Sequence, residues 1–438
     1  MRRVLLLFLI WSTVLTGCTL LTGCTLGPKE INRGRQQYNE AVQKSFREEL
    51  LLNLVRLRYR ESPEFLSVGG IAAQYTFDGR ATGSLSLPNA QGKSGSLFGG
   101  LTRTERPTIS YVPARGEAFQ KGLLAPIDLV SLELLTRTGW SWERILRTSV
   151  QYINRVDNAT SAGGPTPEKK PDYEEFRYLA RLLRELQNQR TVELVHSKKT
   201  GSPKLLPVAR DKLDGDFVIS AMNEGYSFED TDEGLALVKS EQFLALVIHP
   251  QAKQSGALQE LSQMLDLKVD YSSVEPAVYE VNAASSGWIQ STYADATLQL
   301  PTLAGPEGSP FQACEPDYVP ALRDDLIVST RSLLEVMFYL SHGTVVPIEH
   351  QRQGLVTQTL DFDGHPFDWA DMLGDMFTIR VCKHRPKHAS VAVPYRDFWF
   401  YIDDRDRDSL ATFSLLVELF GIQVRAGGGG GFLYTLGI

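Results

Sequence analysis

The apolar positions along this chain change period several times, and each change predicts an element. Between Glu30 and Arg60 they recur as Ile31, Tyr38, Val42, Phe46, Leu50, Leu54 and Leu57, near helical spacing, and predict one long helix. Gly27 and Pro28 before it read as a short tether, and Ser62-Pro63 after it as a stop. From Phe65 to Leu87 the period falls to two. Ile71, Ala73, Tyr75 and Phe77 lead to a turn at Asp78-Gly79, then Leu85 and Leu87, which predicts strands. Residues 88–100 are glycine- and serine-rich and predict a mobile loop, and Thr108 to Val112 a strand closed by Pro113.

Helical spacing returns over Gly116–Leu124, over Pro126–Thr138, and in a segment capped by Ser141 that carries Ile145, Leu146, Val150 and Ile153. Asn158 to Pro171 reads as a polar linker. Asp172 then caps a helix to about Arg190, with Phe176, Leu179, Leu183 and Leu186 on its inner face. After Thr191 the period is two again. Val192 and Leu194, Leu205–Val208, Phe217–Ser220, Tyr226–Phe228, Leu235–Val238 and the apolar run Phe243–Ile248 predict a second antiparallel sheet. Ala257–Leu265 is a short helix, residues 278–320 a long connection of low periodicity, and Asp325–Ser341 a helix ended by His342-Gly343. Strands at Phe377–Cys382, Ser390–Val393 and Asp397–Ile402 precede a helix from Asp408 or Ser409 to Gly421, and Phe432–Ile438 adds a closing strand. Strands and helices in runs, not in strict alternation, predict an α+β fold with mainly antiparallel sheets. Two packed regions are expected, 24–190 and 191–438, behind a signal segment of residues 1–23.

That signal segment has its own logic. Arg2 and Arg3 are basic, Val4 to Leu15 is almost unbroken apolar sequence, and Leu15-Thr16-Gly17-Cys18 and Leu21-Thr22-Gly23-Cys24 follow as a tandem repeat. A basic start, an apolar middle and small residues before a cleavage point form an export signal, too short to span a bilayer as a helix. Cysteine directly after Leu-Thr-Gly resembles the lipobox of bacterial lipoproteins. The resemblance implies that Cys18 or Cys24 is lipidated and becomes the first residue. Cys18 is favoured, because Cys24 would place Thr16, Gly17, Cys18 and Thr19 inside the apolar stretch. Thr rather than Asp after either cysteine resembles the class sorted to the outer membrane. The body is similar to a proteobacterial outer-membrane lipoprotein family. The likeness rests on Asn53-Leu54-Val55-Arg56-Leu57-Arg58-Tyr59 with Pro63-Glu64-Phe65-Leu66, on Pro107-Thr108-Ile109-Ser110-Tyr111, and on Phe400-Tyr401-Ile402-Asp403-Asp404. It implies the anchor and the periplasmic face of the outer membrane, and carries no activity with it.

Composition narrows the partners. The 438 residues are 42% hydrophobic and 22% charged, so the chain can bury real cores. A net charge of −7 argues against nucleic acid. Of four cysteines, two sit in the lipobox repeat, which leaves Cys314 and Cys382 as the candidate pair for one disulfide in an oxidising periplasm. No cofactor or metal is expected beyond the covalent lipid. Arg56, Arg58 and Arg60 read either as a phosphate- or peptidoglycan-binding cluster or, more simply, as a solvated helix end. Asp404, Asp406 and Asp408 have calcium-loop alternation, but Ser409 and Leu415 stand where the loop needs Gly and Glu, so a charged turn with a helix cap is favoured. Cys382, His384 and His388 have no helical spacing across Pro386. Gly427 to Gly431 lacks the Lys-Ser/Thr of a phosphate loop. With these motifs incomplete, the reading is a lipid-anchored, non-enzymatic scaffold or accessory subunit among envelope proteins. The alternative is an envelope hydrolase or glycan-binding enzyme using Asp361, Asp363, His365 or Glu349, and convergence of those side chains in one concave pocket would favour it.

Overall fold

The computed structural model describes residues 26–85, 95–198, 206–207, 226–231, 234–239, 242–284 and 325–426. Helix α1, Leu26–Arg58, begins earlier than the sequence pattern predicts: Gly27 and Pro28 belong to its first turn, where a missing N–H costs nothing. It ends in a left-handed cap. Arg60 takes φ 62°, and Glu61 N donates to the Arg56 carbonyl at 2.9 Å. The Asn53 amide exchanges two hydrogen bonds with the Glu64 backbone, donating to its carbonyl at 2.7 Å and accepting from its N at 3.1 Å.

Strands β1, Leu66–Leu85, and β2, Gly95–Pro113, form one antiparallel ribbon. The expected turn at Asp78-Gly79 is absent, because those residues pair with Thr102 and Leu101 inside the ladder. The expected loop 88–100 is likewise strand from Gly95 on; a partner strand across the ladder outweighs the local turn preference of Asp-Gly.

Helices α2, Glu117–Leu124, and α3, Leu129–Arg137, follow. Helix α4, Trp142–Ser149, stops short of its predicted end, and Val150–Ile153 is strand β3, paired with the two-residue β4, Val156–Asp157. The predicted linker 158–171 is ordered: Asn158 and Thr166 are buried, and Thr160–Gly163 forms a 3-10 turn. Helix α5, Glu174–Asn188, buries Phe176, Leu179, Leu183 and Leu186 as predicted. Strand β5 is Val192–Lys198; β6, Leu206–Pro207, β7, Tyr226–Thr231, and β8, Gly234–Lys239, make a small antiparallel sheet. Strand β9, Gln242–Ile248, and helix α6, Gly256–Met264, precede β10, Ala277–Ala283.

Asp325–Ser341 is not one helix. Asp325–Thr330 is strand β11, and α7 spans only Leu333–Ser341. The break is a capping box: Ser332 Oγ accepts from Glu335 N while the Glu335 carboxylate accepts from Ser332 N. The remaining elements are α8, Ile348–Arg352; α9, Trp369–Leu373; β12, Arg380–Cys382; the hairpin β13, Ala389–Tyr395, and β14, Phe398–Asp403; and α10, Arg407–Ala426. The hairpin turns through Arg396 and Asp397, both left-handed, and buries Phe400 and Ile402 on one face as the alternation predicts. Helix α10 runs through Gly421, and its cap is Asp406, whose carboxylate accepts from Ser409 N at 3.1 Å.

The fold is α+β. A six-stranded sheet runs in the order β4-β3-β11-β10-β9-β5, antiparallel except for the β10–β11 pair. The chain divides into two compact units, one of Met1–Asn53, Pro63–Ala114 and Cys382–Asp403, the other of Leu54–Ser62, Arg115–Val381 and Asp404–Ile438. Arg190 lies inside the second. In that unit α5 packs on α4 and α6, and α7 packs on α2 and α10. Gly122 of α2 is required there, since a Cβ would stand 2.6 Å from the Gln423 carbonyl oxygen of α10.

One residue joins these pieces. Arg331, between β11 and α7, is fully buried. Its Nη1 donates to the carbonyls of Arg147 and Thr148 at 3.0 and 3.2 Å, in the last turn of α4, and its Nη2 donates to the Asn158 carbonyl. The guanidinium lies 4.1 Å from the centre of the Tyr339 ring. No carboxylate forms an ion pair with it among the described residues. Burial pushes its pKa down to about 10, with opposing contributions from Tyr339, Glu335 and Asp157, and the carbonyls at the negative end of a helix take the place of a counter-ion. Replacing Arg331 with Met should therefore lower stability by about 3–5 kcal/mol in urea unfolding, because three buried carbonyls lose their donor. A loss under 1 kcal/mol would show that the junction holds without it.

Candidate functional site

Two features stand apart from the packed interior. The first is the base of the β1–β2 ribbon. Leu66, Ile109, Tyr111 and Val112 are 50%, 41%, 57% and 51% exposed, and no third strand pairs with either edge among the described residues. The register places Ile71, Ala73, Tyr75, Phe77, Ala81 and Leu85 at positions of one face of β1, alternating with Gln74, Thr76, Asp78, Arg80, Thr82 and Ser84. At ~3.3 Å per residue, the 20 residues of β1 extend roughly 65 Å. A two-stranded ribbon of that kind is marginal in water without a cover.

The second is a cavity of about 250 Å³ in the second unit, walled by Arg58, by 342–346 after α7, by Gln351, by 356–359, and by 366–370, 373–374 and 377–378 around α9. The His342 ring stacks on Trp369 with centroids 4.2 Å apart and planes 22° apart. His342 Nε2 lies 3.1 Å from the Ala162 carbonyl oxygen, so Nε2 carries the proton and Nδ1 is an acceptor. Gly343 allows the close turn that starts this wall: a Cβ there would meet the Phe377 carbonyl oxygen at 2.6 Å.

Arg58 is 6% exposed and enters through the last residue of α1. Its Nη1 donates to Thr166 Oγ1 at 3.0 Å and to the Thr357 carbonyl at 3.4 Å. Burial lowers its pKa to about 10, against a small opposing contribution from Tyr59. The sequence readings of Arg58, a surface cluster or a solvated helix end, are both overturned: the residue is inside. Next to it, the Tyr59 hydroxyl lies 2.7 Å from His350 Nδ1 in an edge-on ring contact. Among the described residues the only carboxylate on the cavity wall is Asp368, which caps α9 by accepting from Ala370 N at 2.9 Å. The wall residue His342 is held neutral by burial and by the Arg58 charge.

A neighbouring cleft collects Arg144, Arg147, Arg181 and Arg184. Its charges are spent on one another. Arg147 binds Asp375 through two contacts of 2.8 and 3.0 Å and Glu143 at 3.3 Å; Arg184 binds Glu143 at 2.8 Å; Arg144 binds Asp408 at 2.7 Å. Burial works to raise the Asp375 pKa, and the Arg147 hydrogen bonds with the charges of Arg147, Arg177 and Arg181 outweigh it, leaving the group below its usual value.

Asp361, Asp363 and His365 do come together, with ligand atoms within 4.8 Å of one another. They lie on an exposed turn, not in the cavity wall. Asp361 Oδ1 accepts from the backbone N of Asp363 at 3.0 Å and of His365 at 2.8 Å, which accounts for the approach as a side-chain-closed turn. Glu349 sits on α8 and is not part of that group. Cys382 has a free thiol that donates to the His384 carbonyl at 3.0 Å; Cys314 lies outside the described residues, as do Cys18, Cys24 and Gly427–Gly431. Asp406 and Asp408 serve as helix cap and ion-pair partner.

No family matches. Neither protein-family models, curated proteins nor solved structures contain a match to this chain. No helix among the described residues is long and apolar enough to cross a membrane. The cavity residues come from five separate stretches, and nothing in the sequence links Arg58 to His342 or Trp369. The signal that could have pointed there is Trp369, which no predicted helix or strand absorbs; His342 reads in the sequence as a helix end.

The cavity predicts a pH dependence. Burial first, then the Arg58 charge, lower the His342 pKa to about 3; the bond to Ala162 opposes this and Arg331 adds to it. The unfolded chain takes up this proton near pH 6.5 and the folded chain does not. Stability is therefore full above pH 6.5 and falls as pH drops toward 3, by about 2 kcal/mol at pH 5 from this group. Urea unfolding of the His342→Gln protein should lose that share of the slope between pH 6.5 and 5. An unchanged slope would mean that His342 is protonated in the folded state.

Proposed function

We propose that the chain is a lipid-anchored, non-enzymatic subunit of an envelope assembly, joined to its neighbours through the β1–β2 ribbon. The observation that supports this is the ribbon itself: long, exposed and apolar at its base, with neither outer edge paired to another strand among the described residues. Unpaired strand edges template pairing with another strand, and apolar residues at the base favour a covered state. The lipobox at Cys18 or Cys24 supports the anchor, and helix α1 follows it at once, with Arg35 to Ser45 at least partly exposed in the manner of a stalk. The outer-membrane location is part of this proposal and rests on the residue after the lipobox cysteine.

The enzyme reading has one observation on its side, the approach of Asp361, Asp363 and His365. Against it, Asp361 is committed to its turn and the group is exposed. The test is site-specific photo-crosslinking in intact envelopes from Ser110, on the exposed part of β2. Crosslinks to a second copy or to one reproducible envelope protein are expected, and Ile109→Asp with Tyr111→Asp should reduce them at least tenfold while the circular dichroism of the body is unchanged. Absence of crosslinks, or glycan cleavage by the purified protein that Asp363→Asn abolishes, would overturn the subunit reading.

A further inference from the structure

We propose that the cavity beside Arg58 binds a small organic anion whose carboxylate or phosphate group lies against the guanidinium. This goes beyond the subunit reading and does not rest on it. The comparison that carries it is between two buried arginines of the same unit. Arg331 has three carbonyl acceptors, on Nη1 and Nη2, and an aromatic face, and only its Nε is without a hydrogen bond. Arg58, almost as deeply buried, has one hydroxyl and one distant carbonyl, both on Nη1. Its Nε and Nη2, which together form the side edge of the guanidinium fork, carry no hydrogen bond, and no described carboxylate lies within ion-pair distance. That edge is the one that matches a carboxylate or phosphate with two parallel N–H bonds. Buried charges without partners are rare, because desolvation is not repaid.

The rest of the wall agrees. Buried polar side-chain atoms without a partner are few among the described residues. Four of them belong to residues that line this cavity: Arg58 Nε, His342 Nδ1, Thr344 Oγ1 and Trp369 Nε1. Two are N–H donors, one is a ring acceptor and one is a hydroxyl that does either. An anion satisfies the donors, and a hydroxyl or amide next to it satisfies His342 Nδ1. Phe367, Phe377 and Val346 supply apolar wall for the remainder of the molecule. At about 250 Å³ the space falls just below the ~300–1,000 Å³ typical of pockets for drug-sized ligands, so the ligand is smaller than those. The rim residues Gln351, Gln358, Pro366 and Asp368 are exposed, which leaves a way in.

Benzoate and inorganic phosphate serve as probes with the full-length chain in detergent, by calorimetric titration and thermal unfolding. At least one should bind saturably and raise the melting temperature; benzoate alone assigns a carboxylate ligand, phosphate alone a phosphate ligand. Arg58→Gln should weaken binding at least tenfold. The same substitution should leave the unliganded melting temperature unchanged or higher, since it removes a buried charge that has no counter-charge among the described residues. Trp369→Phe, which keeps the ring stack and removes only Nε1–H, should weaken binding several-fold and guards against a misfolded Arg58 variant. If neither anion binds, or if both bind Arg58→Gln as well as the native chain, the proposal is wrong.

Discussion

A cation taken out of water must find acceptors, and the second unit is arranged around how Arg331 finds them. Helix α4 has to end where it does so that its last carbonyls face the guanidinium, and the turn at Asn158 has to be ordered so that its carbonyl completes the set. The Asn158 side chain donates to the carbonyls of Arg147 and Val150 in the same place, so the end of one helix is satisfied from two directions. Arg147 serves twice. Its carbonyl belongs to this junction, while its side chain binds Asp375 and Glu143 and joins α4 to the segment after α9. A polar junction of this kind tolerates little variation in register, because each member satisfies the next.

The features assigned to function are the ones where such satisfaction stops. Among the described residues no strand pairs with the outer edges of the ribbon, and the Nε and Nη2 of Arg58 carry no hydrogen bond. Elsewhere in the same unit, the cleft beside α4 pairs its arginines: Arg144 with Asp408, the buried Arg147 with Asp375 and Glu143, and the half-exposed Arg181 and Arg184 with Glu143. Local departures from otherwise consistent packing are where binding sites are expected, because the missing partner is another molecule.

Much of the local structure was legible in the pattern. The long first helix, the inner face of α5, the alternation of Phe400 and Ile402, and the α+β class all follow from hydrophobic period. The failures share a cause. Asp325–Ser341 reads as one helix because Leu326 continues the spacing of Leu333 and Val336; the Ser332-x-x-Glu335 box and the β-branched Ile327-Val328 pair were the contrary signals. Asp78-Gly79 reads as a turn until a partner strand is present on the other side of it. Residues 158–171 read as a linker because polar composition does not reveal that Asn158 is an acceptor for a cation 173 residues away.

By itself the sequence determined what depends on neighbours a few residues apart: helix against strand over most elements, and which face of each is apolar. Tertiary structure alone decided the fate of charge. Arg58, Arg147 and Arg331 are the same letter in the sequence, and one lacks a counter-charge, one is paired with two acids, and one is held by a helix end. The difference lies in which carbonyls and carboxylates the fold brings within 3 Å or so. That is set by long-range packing, which one chain read in order does not encode locally.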